Sequence, residues 1–187
     1  MAKIPPHAKK VFTGEIFEIY QWPQKMFDGT IETFEMAKRP NTVDVLAITP
    51  DGKILVLDQE QPGRDSFVCI PGGRIDAGED PLTAAKRELL EETGYASDDV
   101  ELYDSVEPTG KIEWTLFIFV ARGVVHRQDQ ELDAGEKIHV REVTLDEFLR
   151  MVADGEMRDT SVTRRIERAC FDPAARAALE KKLSIKI

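Results

Sequence analysis

Gly73-Arg74-Ile75-Asp76-Ala77-Gly78-Glu79, continued seven residues later by Arg87-Glu88-Leu89-Leu90-Glu91-Glu92-Thr93-Gly94-Tyr95, is the stretch on which the reading of this chain turns. Its punctuation is that of a helix. Asp80 can cap the first turn, Pro81 suits the first helical position, and Gly94 suits the residue just past the end. On that helix Glu88, Glu91 and Glu92 stand at i, i+3 and i+4, and so share one face. Leu82, Ala85 and Leu89 form the opposite stripe and are expected to pack into a core. Neighbouring like charges on a helix cost roughly 0.2–0.5 kcal/mol per exposed pair. Selection for helix stability alone would interleave lysines. A solvated acidic face is the alternative; a face waiting for a hard, oxygen-seeking cation such as magnesium explains the cluster better.

The flanking pattern points outward from the helix to a fold. Val43-Asp44-Val45-Leu46-Ala47-Ile48 and Ile54-Leu55-Val56-Leu57 flank the turn Pro50-Asp51-Gly52-Lys53, which predicts a hairpin. Upstream, Glu15 to Tyr20 reads as a strand and Asp28-Gly29 as a turn. Phe67 to Ile70 reads as a short strand ended by Pro71-Gly72-Gly73, Trp114 to Val120 as a buried strand, and Ile138 to Val140 as another. Thr144 with Glu147 makes a capping box for a helix through Met151, and Asp172-Pro173 opens a last helix through Leu183. Strands mixed with helices in this order predict an α+β architecture, a mixed sheet sandwiched between helices. A small β-rich segment over residues 1–41 precedes a main domain over residues 42–187.

Bulk properties narrow the function classes. The 187 residues suit one domain with a small appendage. A formal charge of −10 repels nucleic acid and anionic lipid, and no stretch approaches the roughly 20 apolar residues of a membrane span. No nucleic-acid or membrane partner is expected. The N-terminal MAKIPPHAKK lacks the apolar run of a secretory signal. Cys69 and Cys170 form no disulfide or zinc pattern, which fits a cytoplasmic protein. His7, His126 and His139 have no ligand spacing and receive no role.

The segment Gly73, five residues, Glu79, seven residues, then Arg-Glu-Leu-x-Glu-Glu-x-Gly resembles the signature of the Nudix hydrolases. With average residue usage the fixed positions arise by chance on the order of once in ten million, and the glutamate-rich composition weakens this by roughly a hundredfold. The usual aliphatic residue at the end is here Tyr95, which is expected to face the core. The resemblance implies a Nudix-type α/β/α sandwich. It implies that Glu88, Glu91 and Glu92 ligate Mg2+ (or Mn2+), with the backbone carbonyl of Gly72 as a further ligand. Arg87 would orient the glutamates, and Glu79 would close the loop against the helix. Glu91 or Glu92 is one candidate for the general base. In Nudix enzymes acting on ADP-ribose, an acidic loop like Glu131-Leu132-Asp133-Ala134-Gly135-Glu136 supplies a base and sometimes a ligand. Glu136 fits the ligand position, while the base position falls near Ala134, with Asp133 and Glu131 beside it.

Outside that box, Gly14-Glu15-Ile16-Phe17, Asp28-Gly29, Phe34-Glu35 and Pro40 to Ile48 resemble the N-terminal region of ADP-ribose and sugar-nucleotide pyrophosphatases. The resemblance runs from about residue 11 to 150. It implies a small-molecule nucleotide substrate, cleaved at its diphosphate to a nucleoside monophosphate and a sugar phosphate, and a homodimer made through the N-terminal strands. Arg64 and Arg74 are candidates to meet the terminal phosphate or ribose. Trp22 and Trp114 are candidates to stack on a base, though core packing suits Trp114 better. Two other readings remain open: a Nudix hydrolase of oxidised nucleoside triphosphates, and a non-catalytic nucleotide-sensing domain. The long segment before Thr42 argues against the first, and the complete set of glutamates against the second.

Overall fold

Along Thr42–Ile48 the side chains alternate between two buried faces, and both faces are apolar: Val43, Val45 and Ala47 on one, Leu46 and Ile48 on the other. A strand apolar on both sides belongs at the centre of a covered sheet. A computed structural model, which describes residues 3–158 and 160–185, places it there. Strands β1 (Lys9–Thr13), β2 (Glu18–Lys25) and β3 (Ile31–Lys38) precede β4 (Thr42–Ile48), β5 (Ile54–Glu60), β6 (Phe67–Cys69) and β7 (Gly72–Arg74). Helix α1 (Pro81–Thr93) leads into β8 (Tyr95–Ala96), β9 (Asp99–Val106), β10 (Ile112–Glu113), β11 (Leu116–Arg122), β12 (Val125–His126) and β13 (Lys137–Val143). Helices α2 (Leu145–Ala153), α3 (Thr160–Ile166) and α4 (Pro173–Leu183) follow, with a 3-10 turn at Glu167–Cys170.

The main sheet runs β13-β5-β4-β11-β9, with β6 added to β5 and β7 to β4. It is mixed: β11 lies parallel to β4, whereas β13 pairs antiparallel with β5 and β9 with β11. Helix α1 covers the face of Val43, Val45, Ala47, Leu55 and Phe119 through Ala84, Ala85 and Leu89. Helices α2 to α4 cover the other face, where Phe148, Val162, Ile166, Leu179 and Leu183 pack on Leu46, Ile54 and Ile118. This is the expected α/β/α sandwich. A second, four-stranded sheet, β1-β2-β3-β10, stands beside it. Three of its strands come from the N-terminal segment and the fourth, Ile112–Glu113, from the main domain. Met1, Ala2, Lys186 and Ile187, the outer ends of the two expected segments, lie outside the described residues.

The feature that builds the site is a splay in the sheet. The hairpin at Pro50 to Lys53 forms, with Thr49 N–H donating to the Lys53 carbonyl at 2.8 Å, but β4 and β5 then share only the pair Ile48↔Ile54. Beyond it the two strands separate. The gap is filled by the chain from Phe67 to Arg74, which pairs first with β5 and then with β4. Val45 N–H donates to the Pro71 carbonyl at 2.8 Å, closing the wedge. Gly72 to Arg74, expected to be a loop, is therefore a strand running beneath α1.

Other boundaries shift for local reasons. Gly14 to Phe17 close a turn, Gly14 N–H donating to the Phe17 carbonyl, so the strand expected from Glu15 starts at Glu18. The strand expected from Trp114 starts at Leu116, because Thr115 N–H is taken by the Asn41 side chain. The segment Thr160–Ile166, rich in β-branched residues, is helical with Val162 and Ile166 buried in the core. Leu82 is exposed, and Ala84 takes the place expected for it in the buried stripe. Tyr95 packs partly on the α1 side of the core, as expected, and its hydroxyl donates to Glu142 Oε1 at 3.0 Å. Trp22 is buried against Phe34, with ring centroids 5.1 Å apart, so it is a packing residue and no base-stacking platform.

Phe148 is fully buried where α2 meets the sheet. Phe148→Ala is expected to lower the unfolding free energy by about 3–5 kcal/mol, read from urea denaturation.

Candidate active site

Helix α1 carries the three glutamates on the side that meets β7. Its start is fixed by Asp80, whose carboxylate accepts the N–H groups of Leu82 and Thr83 at 3.0 and 3.1 Å. Its end is fixed by Gly94 at φ +75, where a Cβ would lie 2.1 Å from the Gln128 carbonyl. Between these stops Glu88, Glu91 and Glu92 are held at different depths. Glu92 is only 6 % exposed, Glu88 is half-buried, and Glu91 is the most open of the three side chains.

Each glutamate is held by a specific partner. Glu92 Oε2 accepts the Gly72 N–H at 2.7 Å, which ties the end of α1 to β7. Arg87 Nη1 donates to Glu88 Oε1 at 2.9 Å and to Glu91 Oε2 at 3.0 Å. The rest of that guanidinium is committed to the preceding loop. Nε and Nη2 donate to the two oxygens of Glu79, both at 2.9 Å, and Nη2 also to the Arg74 carbonyl at 2.9 Å. Glu79 in turn accepts the Asp76 N–H at 3.0 Å. The ion pairs push the Arg87 pKa up and hold Glu79 below the usual carboxylate range.

Burial acts in the opposite sense on the glutamates. Desolvation pushes the Glu92 pKa well above the usual range; the Gly72 N–H opposes it, while Glu88 and Glu136 add to it. Desolvation also raises Glu88, against the pull of Arg87 and with the repulsion of Glu91 and Glu136. These carboxylates thus sit where negative charge is costly.

The glycines of β7 act through size. A Cβ on Gly73 would lie 2.3 Å from the Glu88 carboxyl carbon, and one on Gly72 2.3 Å from the Val43 carbonyl oxygen. Neither has a positive φ. They act by letting a strand and a helix face approach closely.

Glu88, Glu91 and Glu92 share a cavity of about 490 Å³ with Glu131, Asp133 and Glu136. The acidic loop is brought there by the start of β13 and by the Glu131 N–H, which donates to the Glu91 carbonyl at 2.9 Å. Gln59, buried on β5, donates to Glu136 Oε1 at 3.4 Å. Ala134 does not line the cavity, whereas Asp133 does. Arg74 lines the cavity; Arg64 does not. Arg64 borders an adjoining cavity of about 520 Å³, which shares Gln61, Gly72, Gly73, Arg74 and Arg158 with the acidic one.

Sequence reasoning missed two arginines of this second cavity. Arg39 lies over the Trp114 ring at 4.7 Å and near the Phe17 ring at 5.9 Å. Its Nε is buried and, among the described residues, has no hydrogen-bond partner. Trp114 packs on the core as expected, so it serves as a platform for Arg39. Arg158 lies over the Phe67 ring at 4.1 Å. Arg158 comes from the turn after α2, 84 residues beyond Arg74, and no local pattern marks it. Arg39 follows directly on β3, where its position before Pro40 offered a signal that a β4-centred reading passed over.

Three comparisons bear on this geometry. The family model described as NUDIX domain matches residues 38–166. The chain belongs to the Nudix family. It is 32 % identical over 162 residues to an ADP-ribose pyrophosphatase of Bacillus subtilis, covering 85 % of this chain and 88 % of that protein. It is 31 % identical over 155 residues to a methanol dehydrogenase activator of Bacillus methanolicus, covering 81 % and 84 %. A solved structure described as an ADP compounds hydrolase superposes with a TM-score of 0.66 at 18 % identity, over 80 % of this chain and 81 % of that one, which supports the fold alone. This protein is accordingly a Nudix hydrolase, similar to ADP-ribose pyrophosphatases.

Nudix hydrolases generally use divalent metal ions, and the donor set suits one. It is all oxygen, buried and mutually repelling, the chemistry a hard cation relieves. Among the described residues no group of three acidic, His or Cys side chains already converges on one point. Arg87 and the Gly72 N–H hold the carboxylates instead.

Gly73→Ala is expected to displace Glu88 and to reduce catalytic turnover at least tenfold while circular dichroism stays native. Glu92 gives a pH signature. Its folded pKa is raised, so its contribution to stability is full below the ordinary glutamate value of 4.5 and is lost as pH rises through the folded value. In metal-free protein the melting temperature of Glu92→Gln, relative to the wild type, is therefore expected to climb as pH increases. Parallel melting curves for the two proteins across that range would remove the buried-charge account.

Proposed function

We propose that this Nudix hydrolase cuts the diphosphate of a nucleoside diphosphate joined to a second group, ADP-ribose or a nucleotide sugar, with Mg2+ (or Mn2+) bound, releasing a nucleoside monophosphate and a sugar phosphate. One observation carries the reading: a carboxylate-lined cavity and an arginine-lined one adjoin, with Gln61, Gly72, Gly73, Arg74 and Arg158 lining both. A diphosphate lying across β7 meets a metal site on one side and guanidinium groups on the other. The similarity to an ADP-ribose pyrophosphatase over most of both chains supports the substrate class.

Glu88, Glu91, Glu92 and Glu136, with the Gly72 carbonyl, are the proposed metal ligands. Bound metal supplies charge neutralisation at the phosphate oxygens and a more acidic water. The chain's own groups do the rest. Arg87 is a positioning residue that keeps Glu88 and Glu91 aimed into the cavity. Arg74 and Arg158, on the shared rim, receive the diphosphate, and Arg64 the group beyond it. The proton of the attacking water goes to a carboxylate, for which Glu91, Glu92, Asp133 and Glu136 are the candidates. Asp133, exposed and lining the cavity, is the one of these four outside the proposed ligand set.

The N-terminal residues 1–41 are proposed as the arm of a homodimer. Val11, Phe12, Phe27 and Ile31 on or beside its strands are exposed, which suits an interface. A cytoplasmic location is proposed from the sequence, whose two cysteines form no disulfide or zinc pattern. Among the described residues no helix is long and apolar enough to cross a membrane.

Three outcomes are expected. Glu92→Gln abolishes turnover of ADP-ribose while keeping the fold; near-normal activity in the folded variant removes the metal assignment. Excess magnesium raises the melting temperature of the wild type, by relieving repulsion among the glutamates, and raises that of Glu92→Gln much less. Light scattering gives a mass near twice 21.1 kDa; a mass near one chain contradicts the dimer.

A further inference from the structure

The arginine-lined cavity holds more positive charge than a diphosphate needs. Among the described residues its lining carries four arginines, Arg39, Arg64, Arg74 and Arg158, against one carboxylate, Asp44. This concentration occurs in a chain of net charge −10. Arg74 and Arg158 sit on the rim shared with the acidic cavity, at the place proposed for the diphosphate. A diphosphate linkage carries two charges, and bound metal offsets part of them. Neither Arg39 nor Arg64 lines the acidic cavity; both line the second one, where they face whatever lies beyond the diphosphate, and Arg39 also borders two neighbouring cavities, one beside Glu113 and one beside Glu18 and Glu79.

The Arg39 guanidinium is costly to keep unless an anion meets it, and Arg64, on the exposed rim of the same cavity, adds a second positive charge. Among the described residues neither has a carboxylate at ion-pair distance. The Arg64 guanidinium donates to the Gln61 side-chain oxygen at 3.3 Å and lies over the Phe67 ring at 5.6 Å. Arg39 keeps its Nε buried and, among the described residues, unpartnered, and both burial and the nearby Arg74 disfavour its charge. The neutral hydroxyls of an ordinary sugar could be met by uncharged donors at less cost. Aromatic rings fix both cations: Trp114 lies under Arg39 and Phe67 under Arg64.

We infer that the substrate carries negative charge beyond the two phosphates of its scissile diphosphate, and that Arg39 and Arg64 read this charge. The inference rests on the proposed diphosphate hydrolysis and narrows it. The charge has two chemical sources, a carboxylate on the distal sugar or a further phosphate, and both present oxygens suited to a guanidinium fork.

Two matched substrate pairs test it, using the full chain with magnesium. UDP-glucose and UDP-glucuronate differ by a sugar carboxylate; ADP-ribose and ADP-ribose 2′-phosphate differ by a phosphate. The charged member of at least one pair is expected to have a kcat/KM about tenfold higher, the size of one charge-assisted hydrogen bond. The pair that responds identifies the source. Arg64→Gln, at an exposed position, is expected to bring that ratio towards one, as is Arg39→Gln. The split between the members is the readout, which a merely structural loss would not move. Ratios at or below one in both pairs, with the neutral members still cut, overturn the inference and leave the diphosphate reading standing. A preference that survives both substitutions also overturns it. No turnover of any of the four compounds, with magnesium or manganese, overturns the diphosphate reading and the inference together.

Discussion

Arg87 is the group on which the arrangement of the site depends. Its guanidinium is planar and always charged, and its donors point in fixed directions. Here they reach Glu79, Glu88, Glu91 and the Arg74 carbonyl, so a single side chain fixes a loop, a helix face and the end of a strand relative to one another. A lysine at this position has the charge without the fork, and its three donors on a single nitrogen cannot replace the five hydrogen bonds that Arg87 makes. Without such a hub the helix glutamates would turn outward to water, where their charge is least costly.

The sheet supplies the other half of the constraint. Because β4 and β5 part after one ladder pair, the chain carrying Gly72 and Gly73 enters between them and runs under α1. That path brings backbone to within hydrogen-bond reach of Glu92 and leaves no room for a side chain against Glu88. The raised pKa values of Glu88 and Glu92 follow from this closeness: the same approach that builds the cavity strips water from its carboxylates. Stability is spent locally on a site whose charge a cation would balance.

The two adjoining cavities give the molecule an internal polarity that its net charge conceals. Seven acidic residues line the one and four arginines the other, with Gly72, Gly73, Arg74, Gln61 and Arg158 between them. In the proposed function, charge separated in this way across a single strand would orient an elongated anionic substrate, with its metal-bound part over α1 and its remainder towards Arg39 and Arg64.

The sequence by itself determined the elements whose signals are local. The caps of α1 at Asp80 and Gly94, the capping box of α2 and the opening of α4 at Asp172-Pro173 stand where spacing placed them, because a cap is a contact between residues three or four apart. The shared face of Glu88, Glu91 and Glu92 follows from helical periodicity alone. The gathering of Glu131, Asp133 and Glu136 beside it was expected from resemblance, and the Glu131 N–H to Glu91 carbonyl bond, across 40 residues, is the contact that realises it. Only the tertiary structure decided that Gly72 to Arg74 is a strand, that α3 is a helix in spite of its β-branched residues, and that Glu92 is buried. It alone brought Arg39 and Arg158 to one cavity with Arg64 and Arg74. These outcomes depend on the splay of β4 from β5 and on burial against distant residues, and neither leaves a periodic or short-range mark in the chain.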